Sequence, residues 1–266
     1  MCNLELPNVT LLSATSIKLP ETIKALAISC TGIKFGRVLL LTSEKIAAND
    51  SFEVARVPAM RSTEDYSKLL INDLHRYVET PYVLIVQWDG FVLNPHAWDD
   101  EFYRYDYIGS PWPKGFHVGD AWNHPTGGPY RVGNGGFSFR SRECLKACSQ
   151  LAAEGRYTRF DPEDMATCID MALPLAERGI KIAPVEVAAR FSFENWYNGS
   201  RKWNGQFGFH GYKLTDISRW TRANPQWKIE NQFRSPRPFL LPWKKNFWAQ
   251  FEKREYLVRQ ISDWIR

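Results

Sequence analysis

The stretch YVLIVQWDGFVLNP, residues 82–95, runs five apolar residues from Tyr82 to Val86 straight into Gln87, Trp88, Asp89 and Gly90. A short continuous apolar run bounded by turn residues reads as a buried strand. Working outward from it, VTLLSA (9–14) predicts a strand and RVLLLTS (37–43) a second one. Between them PETIKALAISCTG (20–32) predicts a helix opened by Pro20 and closed by Gly32. STEDYSKLLINDLHRYV (62–78) predicts another helix, capped by Ser62, acidic in its first turn, with Tyr66, Leu69, Leu70, Leu74 and Tyr77 at helical spacing. Strand, helix, strand, helix, strand implies a parallel sheet covered by helices, a nucleotide-type α/β unit. Ligands of such sheets sit at the carboxyl ends of the strands, so a carboxylate placed there, Asp89, is a candidate binding residue.

The second half is less regular. Residues 105–132 are rich in Gly, Pro, Trp and His and predict a long loop bordering a cleft. GGFSFRS (135–141) resumes a strand, and residues 142–154 read as a helix. DPEDMATCIDMALPLAERG (161–179) predicts one helix with Asp161 as cap and Pro162 at its first position, and IKIAP (180–184) predicts a further strand.

Composition narrows the class. At 266 residues, 44% hydrophobic and 14% aromatic, the chain can bury a full core and is not a disordered sequence. No run reaches membrane-spanning length, and the opening MCNLELPNVTLL lacks the basic and apolar regions of a secretory leader. The five cysteines include no CxxC pair, and Cys144 and Cys148, four apart on a predicted helix, suit a disulfide poorly. A reducing, cytoplasmic setting is expected. The net charge of +5 lies wholly in the tail: from Arg234 onward eight basic residues face three acidic ones, so residues 1–233 are neutral overall. The main body carries no nucleic-acid footprint, and no nucleic-acid partner is expected.

Taken singly, each polar motif has a bland explanation beside a functional one. Gln87-x-Asp89 in a tight reversal aims two side chains at one ligand, with a carboxylate suited to Mg²⁺ or Mn²⁺, but turn aspartates are common. VGNGGFSFRS (132–141) is not GxGxxG and leads into a strand; Gly133, Gly135 and Gly136 imply close backbone approach to a ligand, or a bulge. PEDM sets Glu163 and Asp164 in a first helical turn, as dipole partners or as a base. FGFHG (207–211) holds His210 between aromatics and glycines, as a core histidine or a site residue.

Their order along the chain resembles that of GT-A-fold glycosyltransferases: a DxD-like strand end, a glycine-rich turn, an xED helix start and a late histidine. The wording VQWDGFV, YDYIGSPW, VGNGGFSFRS, PEDM and FGFHG is similar to that of a GT-A-like family of bacterial and eukaryotic proteins, over about residues 8–212. The resemblance implies a GT-A-like α/β fold for residues 1–233, a Rossmann-like nucleotide-binding half fused to an acceptor-binding half around one mixed sheet. It implies that Asp89 and His210 ligate Mn²⁺ or Mg²⁺, with Gln87 standing where the family has its first Asp. Ala14, Thr15, Thr42, Gln87, Trp88 and Asp89 would border the donor nucleotide, and Trp112, Asn134, Gly135 and Gly136 the sugar or acceptor. Asp164 would be the catalytic base, with Glu163 as its acceptor-binding or capping neighbour. The implied activity is an inverting, hexosyltransferase-type transfer from a nucleotide sugar, expected to be UDP-linked, to a hydroxyl of a glycan or lipid-linked acceptor in surface polysaccharide assembly.

Two other classes stay open. A nucleotidyltransferase would need a glycine-rich phosphate loop with a basic residue, which LLSATSIKLP lacks. A carbohydrate- or nucleotide-sugar-binding module, or an inactive transferase relative, is motivated by Gln87. In the tail, residues 234–266, the apolar Phe247, Phe251, Val258, Ile261 and Ile265 recur at helical intervals. Such a helix either packs on the domain or lays residues 243–266 on an anionic membrane surface, making the protein peripheral on the inner face.

Overall fold

The computed structural model describes residues 4–46, 50–112, 132–157, 160–194 and 200–229. Six strands form one mixed sheet: β1 (Leu4–Ala14), β2 (Ile33–Thr42), β3 (Glu53–Arg56), β4 (Tyr82–Ile85), β5 (Tyr107–Ile108) and β6 (Ser138–Ser141). Their order is β3-β2-β1-β4-β6-β5. The first four run parallel, and β6 lies antiparallel to both β4 and β5. This is the expected α/β class, a parallel nucleotide-type half continued into a second half around one mixed sheet.

The central strands read as continuous apolar runs because both their faces are covered. Leu11, Leu40 and Leu84 pack into one buried cluster, while Leu12, Leu39, Leu41, Val83 and Ile85 point the other way into a second. The helices are α1 (Leu19–Ser29), α2 (Thr63–Lys68), α3 (Arg142–Ala153), α4 (Glu163–Met165), α5 (Ala172–Glu177), α6 (Val185–Phe191) and α7 (Ser218–Ala223). The Ser62 cap forms as expected, its hydroxyl accepting the amide of Asp65 at 3.1 Å.

Several boundaries differ from expectation. The helix over 62–78 gives way after α2 to a π-helical turn (Leu69–Asp73) and a 3₁₀ turn (Leu74–Arg76). The helix over 161–179 is interrupted by a second π-helical turn (Ala166–Asp170). Asp161 does not cap it. Pro162 takes the cap position, and the Asp161 carboxylate instead accepts the hydroxyls of Thr63 at 2.7 Å and Ser67 at 3.3 Å on α2. The segment 180–184 makes one bridge, Ile182 to Tyr107, and no strand. A small parallel pair, β7 (Ser192–Phe193) and β8 (Gly208–Phe209), was not legible beforehand.

Strand order reverses direction between β1 and β4, the point where open α/β sheets hold their ligands. No described helix is long and apolar enough to cross a membrane. The tail 234–266 and the loop residues 113–131 lie outside the described residues.

Candidate functional site

Past the end of β4 the chain reverses sharply. Gln87 and Gly90 exchange backbone hydrogen bonds of 2.9 and 3.0 Å, so Trp88 and Asp89 form a two-residue tip. The second half of the chain docks on this tip through its backbone: Gly211 N–H donates to the Asp89 carbonyl at 2.9 Å, and Phe209 N–H to that of Phe91 at 3.4 Å. His210 is thereby set beside Asp89, 123 residues along the chain from Gln87. Its Nε2 lies 3.2 Å from Gln87 Oε1 and 3.6 Å from Asp89 Oδ1, and its Nδ1 lies 3.0 Å from Glu194 Oε1.

The electrostatics of this cluster follow from partial burial. Burial raises the pKa of Asp89, and the neighbouring His210 offsets part of that rise. Burial alone would lower His210, but the charges of Glu194 and Asp89, with the hydrogen bond that the ring donates to Glu194, outweigh it and push the imidazole up to about 9. Asp89 Oδ1 is buried with no hydrogen-bond partner. Its lone pairs are therefore free to meet a cation or a donor.

The glycine-rich turn sits directly against these groups. A Cβ on Gly136 would fall 2.1 Å from His210 Nε2, and one on Gly135 would fall 1.6 Å from Glu163 Oε1. Both positions are therefore closed to any other residue by the protein's own side chains. Asn134, just ahead of them, holds a left-handed φ of 63°. Its amide donates to Asp164 Oδ2 at 2.8 Å, its Oδ1 accepts from Gly136 N–H at 3.1 Å, and its buried Nδ2 has no partner.

The two acids of the PEDM motif diverge. Glu163 turns inward to Arg140 with a 2.8 Å ion pair, and Arg140 also donates to Ser138 Oγ at 3.0 Å and lies over the Tyr107 ring. Asp164 stays partly exposed and accepts the amides of Asn134 and Met165, each at 2.8 Å. Burial, then the nearby Glu163 and Glu194, push Asp164 up to about 7 despite those two donors. A carboxyl group at that value exchanges protons at neutral pH. Tyr66 of α2, unanticipated as a site residue, brings its hydroxyl beside Gln87 without meeting hydrogen-bond geometry, and that hydroxyl is buried and unpartnered.

On the nucleotide side, Ala14, Thr15 and Thr42 lie at the carboxyl ends of β1 and β2, on the same sheet edge as Gln87. The Thr15 hydroxyl is engaged with the backbone of Ile17, and the Thr42 hydroxyl accepts the Glu44 amide at 3.2 Å. Trp88 packs near Tyr212, with ring centroids 5.8 Å apart, and Lys18 Nζ stands 5.6 Å from its ring. Trp112 is 8% exposed and packs against Gly133, where a Cβ would fall 1.9 Å from the indole. It braces the turn from behind.

Among the described residues no group of three or more His, Cys, Asp or Glu is placed to hold a metal by itself. Asp89 Oδ1, His210 Nε2 and the Gln87 amide oxygen nevertheless form an oxygen-rich set with one imidazole, suited to Mn²⁺ or Mg²⁺ when a ligand's phosphates or water complete the shell. The unpartnered Oδ1 of Asp89 is the observation that fits such an ion.

A family model described as "Protein of unknown function (DUF5672)" matches residues 51–210. No curated protein matches the sequence. Similar solved structures are glycosyltransferases. An active-site mutant of LgtC is 12% identical, with a TM-score of 0.47 over 82% of this chain and 95% of that one. The galactosyltransferase LgtC in complex with donor and acceptor sugar analogues is 12% identical, with a TM-score of 0.45 over 82% and 94%. The mannosyltransferase PcManGT from Pyrobaculum calidifontis, in complex with GDP-Man and Mn²⁺, is 15% identical, with a TM-score of 0.38 over 68% and 57%.

Proposed function

We propose that this chain, which belongs to the DUF5672 family, is a GT-A-like glycosyltransferase moving a sugar from a nucleotide donor to an acceptor hydroxyl. The observation that carries the reading is the buried, unpartnered Oδ1 of Asp89 at the strand switch point, with His210 Nε2 at 3.6 Å.

In this reading the donor base rests against the ends of β1 and β2 at Ala14, Thr15 and Thr42, beside Trp88. The Gln87 amide serves a ribose hydroxyl or the metal shell. Asp89 and His210 would hold Mn²⁺ or Mg²⁺, and such an ion would supply positive charge to offset that of the leaving diphosphate. Asn134 offers its free Nδ2 to the sugar or the acceptor. Asp164 takes the proton of the attacking hydroxyl while that oxygen bonds the anomeric carbon and the carbon–oxygen bond to the phosphate breaks toward the nucleotide. Attack opposite the leaving group inverts the anomeric centre. Glu163 acts through the turn it supports rather than on the substrate. The donor is UDP-linked, the acceptor a glycan or a lipid-linked sugar, and the basic tail brings the enzyme to the anionic membrane surface where such acceptors are displayed.

The test is release of nucleoside diphosphate from a panel of nucleotide sugars by the full-length chain with Mn²⁺. The expected result is turnover of one donor, abolished by EDTA, with the product's anomeric configuration inverted. Donor binding with no turnover across the panel would favour the binding-module reading. Retention of configuration would overturn inversion.

A further inference from the structure

Glu194 stands outside the set of residues that the motif order singles out, yet its position is built as specifically as theirs. Strands β7 and β8 pair in parallel with Ser192 opposite Gly208 and Phe193 opposite Phe209. One step beyond the register brings Glu194 opposite His210, and His210 N–H donates to the Phe193 carbonyl at 3.1 Å, which holds the ends of the two strands together. Glu194 Oε1 then lies 3.0 Å from His210 Nδ1. Both side chains are largely buried, at 17% and 20% exposure, so this contact is not a mobile surface pairing.

We infer that Glu194 is a positioning residue for the metal centre, an inference that rests on the glycosyltransferase reading of the site. A carboxylate accepts hydrogen bonds, so Nδ1 is the ring nitrogen that carries the proton in this pair. With Nδ1–H held by Glu194, the opposite nitrogen faces Gln87 Oε1 at 3.2 Å and Asp89 Oδ1 at 3.6 Å. In the metal-free protein that nitrogen also faces acceptor oxygens and carries a proton; a bound cation would displace it, leaving Nε2 as the lone-pair ligand while Nδ1–H stays on Glu194. The glycines around the ring complete the fixation: Cβ atoms on Gly90 and Gly136 would fall 2.7 Å and 2.1 Å from imidazole atoms, so the ring has no alternative seat on those sides. Glu194 thus selects both the tautomer and the plane of His210, the task that carboxylates beside metal-bound histidines perform.

The experiment is Mn²⁺ titration of the full-length protein without substrate, read by the loss of the free-ion electron paramagnetic resonance signal. Glu194→Ala is expected to weaken Mn²⁺ binding by roughly 10–100-fold, the usual effect of removing such a partner. Glu194→Gln, which keeps an acceptor oxygen, is expected to restore most of the affinity. Wild-type protein that binds no Mn²⁺ would overturn the metal assignment itself. Wild-type binding with an unchanged Glu194→Ala variant would overturn the role of Glu194 alone. Long-range ¹H–¹⁵N spectra of Mg²⁺-bound wild type, which need no variant to fold, should show His210 protonated on Nδ1. A proton on Nε2 instead would overturn the inference.

Discussion

Two charge clusters flank the glycine turn at residues 133–136, and they are finished differently. On one side Arg140 and Glu163, with side chains 3% and 5% exposed, close on each other at 2.8 Å. On the other side Asp89, His210 and Glu194 keep side-chain exposures of 17% to 20%; each cluster leaves one buried carboxylate oxygen without a hydrogen-bond partner, Glu163 Oε2 in the first and Asp89 Oδ1 in the second. The first pair is sealed under the turn and carries fold. The second is the more accessible of the two and lies just past the carboxyl end of β4. Neighbouring acids in sequence diverge as well, Glu163 pairing with Arg140 and Asp164 accepting the amides of Asn134 and Met165.

The largest effect should come from breaking the sealed pair. Arg140→Met leaves the Glu163 carboxylate buried and uncompensated, and chemical denaturation should record a loss of roughly 3–5 kcal/mol. A smaller loss than that from Asp89→Ala, a variant expected to fold normally but bind Mn²⁺ weakly, would be the signature of the contrast. If Arg140→Met were as stable as wild type, the two clusters would not differ in the way described.

Next comes the base. Asp164→Asn should lower kcat by on the order of 10²-fold while donor binding holds. Since the Asp164 carboxyl sits up at about 7 and must be ionised to accept a proton, wild-type kcat should rise with pH to a plateau above neutrality. Below that value it should fall about tenfold for each pH unit, as the ionised fraction does. The asparagine variant should lose this limb. A folded Glu163→Gln without activity, beside an active Asp164→Asn, would move the base to Glu163.

Gly136→Ala probes the wall between the clusters. The new methyl would stand 2.1 Å from His210 Nε2, so the imidazole must shift. Overpacking of this kind costs about 1–3 kcal/mol, and the displaced ring should also weaken Mn²⁺ binding in the same titration. The smallest change is Gln87→Asp, which adds a carboxylate beside Asp89 and should tighten Mn²⁺ while leaving stability near wild type. Weaker binding would mean that the amide is itself needed where it stands.

Legibility in the sequence followed the range of the interaction. β4 and the C-terminal parts of β1 and β2 announce themselves as largely apolar runs buried on both faces, and the Ser62 cap and α3 are written in local spacing. β5, β7 and β8 are two residues each, too short for periodicity to register, and exist through long-range pairing. Asp89, Asp164 and His210 were visible as residue types at turn and helix boundaries. What joins them was not: the Arg140 partner of Glu163 is 23 residues away and the Glu194 partner of His210 is 16 away. No comparable signal marks Glu194, which follows Phe191-Ser192-Phe193, a stretch too short and too mixed to read as a strand. Asp161 misled because an acid ahead of Pro162 reads as a cap, whereas a contact with Thr63 and Ser67, nearly a hundred residues upstream, claimed its carboxylate.

Pro111 and Val132 form an antiparallel bridge, and Gly133 N–H donates to the Ser110 carbonyl at 3.2 Å. Residues 110–112 and 132–133 are therefore clasped to one another immediately ahead of the turn that carries Asn134. The clasp, with the Trp112 indole packed against Gly133, fixes the direction in which the chain enters that turn. A change at Pro111 or Val132 would accordingly be felt at Asn134, although neither residue belongs to the candidate site.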